Sequence, residues 1–313
     1  MPDTSAHRRA VTVVIPAHGV ANYVVGSVAS ALAQPEATKV VVVDDRSPDE
    51  GAALVRGHFD DPRLEVISSE RTPGVCGARN AGLERVGTEW VLFLDGDDEL
   101  IEGALGRLMA AATPRAAGVF GSFRHVTETG EDHPSSWLAD RSLVLTKFPQ
   151  RPLTLRMLPR RTFNPPPGAM LMRTSSLRRC GGWDEGRSSS GQSEDYEVAV
   201  RLAVDGPIEL VDEPVLRYLH REGSRSRGSS NNRRRALTRF EAIRRAPRHH
   251  RPAMGLAQAD AYWRLVVPRI RAGRLHPRGL LHAGADAILA LAFALFGFIV
   301  VVLPPWQPDW PPA

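Results

Sequence analysis

Asp95-Gly96-Asp97-Asp98 puts three carboxylates into one short turn. Carboxylates this close repel one another unless a cation or a proton neutralises them. Hard oxygen donors of this kind suit Mg²⁺ or Mn²⁺, which take one or two carboxylates together with substrate phosphates. A second acidic pair, Asp44-Asp45, closes the apolar run Val40 to Val43, and a third, Glu194-Asp195, opens an amphipathic stretch that reaches Val204. At such a place a carboxylate either accepts a proton from a reacting hydroxyl or stabilises the start of a helix. An isolated Asp-x-Asp also reads as a solvated turn, since short motifs match by chance. The pairs therefore have to be weighed by the elements that carry them.

Those elements alternate. Val11 to Ile15 is a β-branched run, followed by helical spacing over Val20 to Ala33 and the buried strand Val40 to Val43. A helix over Glu50 to Phe59, a strand over Leu64 to Ile67, and a glycine-rich start running into a helix over Gly74 to Val86 come next. Trp90 to Leu94 is a short apolar β-prone run, so it predicts a strand ending in the acidic turn. Alternation of this kind predicts an α/β fold with a mostly parallel sheet flanked by helices. Ligands of such sheets bind beyond the carboxyl ends of the strands, where Asp44-Asp45 and Asp95-Asp97 both lie. Further strands are expected over Ala116 to Phe123, Ile208 to Val211 and Val215 to Leu219, and regular structure again at Ala169 to Met172. Residues 127–167 read as a variable loop region covering the site, and 224–232 as a polar loop.

With the motifs in this order, the chain resembles the family 2 glycosyltransferases, which have the GT-A fold. The resemblance rests on Val13-Val14-Ile15-Pro16-Ala17-His18-Gly19, Val42-Val43-Asp44-Asp45-Arg46-Ser47, Gly77-Ala78-Arg79-Asn80-Ala81-Gly82 and Phe93-Leu94-Asp95-Gly96-Asp97-Asp98. Gly181-Gly182-Trp183-Asp184-Glu185 and Glu194-Asp195-Tyr196 continue it, so that it covers roughly residues 10 to 226. It implies a nucleotide-sugar donor, with Pro16 and Ala17 lining the nucleoside and Asp45 accepting from the base, a uracil-type imide. Arg79 would reach the diphosphate or brace the acidic turn. Asp95 and Asp97 would hold Mn²⁺ or Mg²⁺, and Asp98 would cap the following helix. Asp195 would be the general base of an inverting displacement and Glu194 would orient acceptor or base. Trp183 would stack on a sugar face or lie in the core. His220, with Ser224 and Ser226 beyond it, would stand against the diphosphate. Relatives commonly have an Asn where this chain reads Arg71-Thr72-Pro73-Gly74, which bears on donor identity.

The expected boundaries are a tail over 1–10, a catalytic domain over 11–226 (nucleotide half 11–125, acceptor half 126–226), basic helices over 227–284, an apolar helix over 285–305 and a tail over 306–313. The formal charge is +5, with arginine crowded between Arg217 and Arg278. That stretch has few aromatics to stack bases and adjoins an apolar segment, which favours anionic lipid over nucleic acid. Ala287 to Pro305 carries no charge and is followed by Trp306 and Trp310. A segment of this length either spans a bilayer or lies in one leaflet. The arginines before it and none after it place the bulk of the protein at the cytoplasmic face of the membrane. Cys76 and Cys180 make no disulfide framework. A nucleotidyltransferase on a similar sheet would need a glycine-rich loop with a basic residue after the first strand, and Pro16-Ala17-His18-Gly19 lacks one. Acceptors left open are a glycan, a lipid-linked sugar and a small molecule.

Overall fold

The structure, a computed structural model, describes residues 10–133, 166–187 and 194–221, with isolated positions within 252–256 and 288–295. Strands β1 (Val11–Ala17), β2 (Ala37–Asp44), β3 (Leu64–Ser68) and β4 (Trp90–Phe93) alternate with helices α1 (Val24–Leu32), α2 (Gly51–His58) and α3 (Val75–Glu84). After the acidic turn come β5 (Glu99–Leu100), α4 (Ala104–Ala111) and β6 (Gly118–Thr127). β7 (Met170–Arg173), α5 (Thr174–Arg179), α6 (Glu194–Asp205) and β8 (Ile208–His220) complete the described part.

One eight-stranded sheet forms, in the order β3-β2-β1-β4-β7-β6-β8-β5. β1 pairs in parallel with β2 and β4, β2 with β3, and β6 with β8. The insertion of β7 between β4 and β6 is antiparallel on both sides. The parallel half has helices on it, and its central strands are mostly apolar: every residue of β1 and β4 is buried. Helix α3 comes unusually close, with Cys76 to Leu83 all buried. Glycine at 82 permits this, since a Cβ there would stand 2.2 Å from a methyl of Val14.

Several expectations change on folding. The two short strands expected over 208–219 are one strand, and the irregularity between them is a register shift against Gly121 to Phe123. Pro214 interrupts the alternation there, since it lacks the N–H that a ladder needs. The first helix begins at Val24 rather than Val20, after a turn. The expected loop at 127 starts with a tight turn that brings Asp132 back to bridge Val126. Most of that loop, the basic region 227–284 and most of the apolar segment 285–305 lie outside the described residues. Among the described residues no helix is long and apolar enough to cross a membrane.

β5 has no counterpart in the sequence reading, and it matters most for the site. The chain leaves β4 through the acidic turn and immediately pairs, by Glu99 and Leu100, with Arg217 and Leu216 near the end of β8. The sheet therefore curls, and the end of its second half arrives beside the acids that end its first half.

Candidate active site

Arg79 is the centre of the site. It lies in the second turn of α3, only 2% exposed. Its Nη2 donates to Asp95 Oδ1 at 2.7 Å and its Nη1 to Asp195 Oδ1 at 3.4 Å, with Glu194 at 3.9 Å. Its guanidinium carbon stands 4.3 Å from the ring centre of Trp183. A buried guanidinium is costly unless paired. Burial opposes the charge, but Asp95, then Asp195 and Glu194, outweigh it and keep the group firmly protonated. One side chain thus binds the acidic turn to the start of α6, although 116 positions of sequence separate Arg79 from Asp195.

The acids differ in state. Burial, then the charge of Glu194, pushes the Asp195 carboxyl well above its usual range, while Arg79 pulls the other way. Asp97 is raised by burial and then by Asp95, against the pull of Arg221, whose Nε donates to Asp97 Oδ2 at 2.6 Å. Asp98 is 2% exposed and accepts from Leu219 N at 2.9 Å. Burial, then Asp97 and Asp95, raises its pKa strongly. Asp98 therefore does not cap the next helix, which starts after Gly103 without a side-chain cap. It clamps the acidic turn to β8 instead.

At the end of β2, Asp45 is nearly buried and accepts from Gly74 N at 2.7 Å and from Arg46 at 3.3 Å. Arg46 has φ 54°, a left-handed turn that non-glycine residues rarely take and that aims the chain away from the strand end. Pro16 and Ala17 are buried at the end of β1, and the Ala17 carbonyl accepts from Asp45 N at 3.0 Å. Gly96 packs on the Pro16 carbonyl, 3.0 Å from where a Cβ would sit. The end of β1, Asp45 and the acidic turn are therefore neighbours on one rim.

Two expected residues make contacts with other side chains. Trp183 is fully buried, edge-on to Phe93 at 5.2 Å and covered by Arg79. It cannot offer a face to a sugar, and of the two roles expected for it the core one holds. Its backbone is held on both sides by Asn80, which donates to Trp183 O and accepts from Trp183 N, each at 2.8 Å. His220 lies in a histidine cluster: its Nε2 is 2.6 Å from His125 Nδ1, and its ring stacks on His133 at 4.1 Å. Burial, then His220 and His133, lowers the His125 pKa to about 4.

Sequence reasoning did not single out Arg221, Asn80, Glu185 or Arg71 for the site. Asn80 also donates to Glu185 at 2.8 Å, and Arg71 Nε donates to Glu185 at 2.6 Å. Asn80 and Glu185 were visible inside the matching motifs. Arg71 stands in the loop that departs from the family's pattern, and Arg221 was hidden in a run of arginines.

Among the described residues no cluster is preformed as a metal cage, and Cys76 and Cys180 form no disulfide. A cage is not what Mg²⁺ or Mn²⁺ requires, since substrate phosphates and waters complete the shell. Asp95 and Asp97 retain mutual repulsion despite their arginines, and the ion pairs use Asp95 Oδ1 and Asp97 Oδ2. The donor set therefore fits a divalent ion.

Comparison with known proteins bears on the family. Residues 12–181, more than half of the chain, match the family described as Glycosyl transferase family 2. A succinoglycan biosynthesis protein, ExoO of Rhizobium meliloti, is 40% identical over 110 residues, 35% of this chain and 31% of its own. The pre-mycofactocin glycosyltransferase of Mycobacterium tuberculosis is 30% identical over 230 residues, 70% of this chain and 44% of its own. A GalNAc(5)-diNAcBac-PP-undecaprenol beta-1,3-glucosyltransferase of Campylobacter jejuni is 38% identical over 86 residues, 27% of this chain and 28% of its own. The chain thus spans less than half the length of these relatives. In fold it is similar to S. aureus TarS 1-349 in complex with UDP-GlcNAc, with a TM-score of 0.62 at 20% identity, covering 80% of this chain and 71% of that one. It is also similar to the mannosyltransferase PcManGT of Pyrobaculum calidifontis in complex with GDP-Man and Mn²⁺, TM-score 0.51 at 17% identity, covering 94% and 86%.

Proposed function

Because the chain belongs to glycosyl transferase family 2, we propose that it is a metal-dependent, inverting glycosyltransferase, moving a sugar from a UDP-linked donor to an acceptor hydroxyl. The observation that carries this reading is the Arg79 bridge, which holds an acid of the proposed metal pair and the proposed base on one guanidinium. Asp95 and Asp97 would hold the divalent ion, which when bound neutralises the charge growing on the leaving diphosphate.

The chain's own residues do the rest. Asp45 receives the base edge, and the ends of β1 and the acidic turn form the wall beside it. Asp195 takes the acceptor proton at a carboxylate oxygen. Its raised pKa, caused first by burial and then by Glu194, brings it closer to the working pH, where a general base is most effective. Arg79 sets the orientation of that carboxylate. In this reading Asp195 acts as the single base, so that displacement is direct and inverts the anomeric centre.

The relatives named for succinoglycan biosynthesis and for undecaprenol-linked acceptors support a place in envelope polysaccharide or glycolipid synthesis. The mycofactocin relative keeps a small-molecule acceptor in view. Attachment to a membrane is part of this proposal: Ile288, Leu291 and Leu295, helical residues on a three-and-four spacing that are 69%, 63% and 54% exposed, would supply the apolar contact, and the arginines before them would set the cytoplasmic face. The test is a panel of nucleotide sugars assayed for Mn²⁺-dependent hydrolysis and transfer. Asp97→Asn is expected to remove metal-dependent donor binding. Asp195→Asn is expected to keep donor binding and lose transfer by about 10²–10⁴-fold. Transfer by Asp195→Asn at the parent rate would refute the base assignment.

A further inference from the structure

The two acids proposed to hold the metal are served by two very different arginines. Arg79 is 2% exposed, is shared among three carboxylates and is stacked on Trp183, so it is fixed. Arg221 is different. It lies just past the end of β8, its side chain is 21% exposed, and its Nε donates to Asp97 Oδ2. Its guanidinium rests 5.3 Å from the ring centre of Tyr23, whose hydroxyl donates to Glu128. Tyr23 thus forms an anchored seat for a cationic group paired with a carboxylate proposed to hold the metal.

We propose that Arg221 is a displaceable counter-ion: it occupies Asp97 when no donor is present, competes with the free divalent ion, and gives up the carboxylate when metal and nucleotide diphosphate arrive together. The inference rests on the reading of Asp95 and Asp97 as the metal pair. Its physical basis is charge accounting. A free divalent ion that takes Asp97 leaves Arg221 without its partner. A diphosphate that arrives with the ion supplies new oxygen ligands and fresh negative charge close to the released guanidinium. Metal and nucleotide therefore favour each other's binding, and by linkage the coupling is the same in both directions. Such a device keeps the site from filling with metal alone and ties metal capture to the presence of the donor.

The experiment is Mn²⁺ binding to the full chain, read by electron paramagnetic resonance with and without UDP, in the parent and in Arg221→Gln, Arg217→Gln and Asp97→Asn. Arg217 lies on the same strand and pairs with Glu99 at 3.6 Å, so its variant removes one positive charge without vacating Asp97. Arg221→Gln is expected to bind Mn²⁺ alone about tenfold more tightly than the parent, since a hydrogen bond between charged groups is lost from the competing state. UDP should then improve Mn²⁺ binding less than it does in the parent. Arg217→Gln should change Mn²⁺ affinity by less than about threefold, as befits an exposed pair. The proposal is overturned if Arg221→Gln binds Mn²⁺ no better than the parent, or if Arg217→Gln tightens binding as much. Asp97→Asn separates the two levels. If the parent's Mn²⁺ binding survives that change, the metal assignment fails and the competition with it. If it is lost while Arg221→Gln equals the parent, only the role of Arg221 fails.

Discussion

Replacing Arg79 with methionine removes a buried charge while keeping much of the side-chain bulk. In the parent the guanidinium lies within 3.9 Å of oxygens from Asp95, Asp195 and Glu194. Removing one partner of a buried ion pair typically costs about 3–5 kcal/mol, because the other charge stays behind unpaired. Asp95 is 30% exposed and partly screened by water, which argues for the lower end, about 3 kcal/mol. For a folded unit of this size each kcal/mol moves Tm by about 2–4 °C, so a loss of about 6–12 °C is expected. The pH dependence gives a sharper check. Without Arg79 the Asp195 carboxyl, already raised by burial and by Glu194, would lose the cation that opposes that rise. A raised group favours the folded state most below its unfolded pKa, and that advantage is lost as pH rises through the folded pKa. The deficit of Arg79→Met should therefore be smaller near pH 5 than at pH 8. Thermal melts followed by circular dichroism across that range read it directly. A Tm loss below about 2 °C, or a deficit independent of pH, would refute the view that Arg79 holds three acids together.

Gly77→Ala would drive a Cβ to 1.9 Å from the Thr72 carbonyl, so the loop before α3 has to shift. Overpacking of this kind costs about 1–3 kcal/mol. Because that loop carries Gly74 N onto Asp45, nucleotide affinity measured by calorimetry should fall as well. His125 is held near pKa 4, below the ordinary value of about 6.5. A depressed histidine contributes stability above its unfolded pKa and loses it as pH falls towards 4. Denaturant melts at pH 7.5 and 5 should show this loss in the parent and a smaller one in His125→Gln.

How much was legible beforehand differs by element. The strands β1 to β4 and the helices between them were readable because each is a local apolar pattern of the right period, bounded by glycine, proline or acids. Asp45, Asp95 and Asp97 could be named because they stand at the ends of those elements, and Arg79 because it lies within a motif that carries the resemblance. β5 was not readable: two residues carry no periodicity, and only the edge of β8 makes them a strand. The continuity of β8 was hidden by Asp212 to Pro214, which reads as a break and is a register shift within the pairing to β6. Trp183 left two roles open, since an aromatic beside two glycines looks the same whether its ring faces a ligand or the interior.

The order of the acidic motifs was thus written in the chain, and with it the parallel half of the sheet, the strand-end position of the carboxylates and the family. Which acids meet was not. Asp97 meets Arg221 and Asp98 meets Leu219 because the sheet curls until the end of β8 lies beside the end of β4, and Asp195 meets Arg79 because the start of α6 packs beside α3. Partners more than a hundred residues apart leave no periodic trace in a sequence. Their pairing follows from the burial of apolar surface across the whole sheet, and the charges are then carried into contact, each with its state set by burial and by the neighbours it finds there.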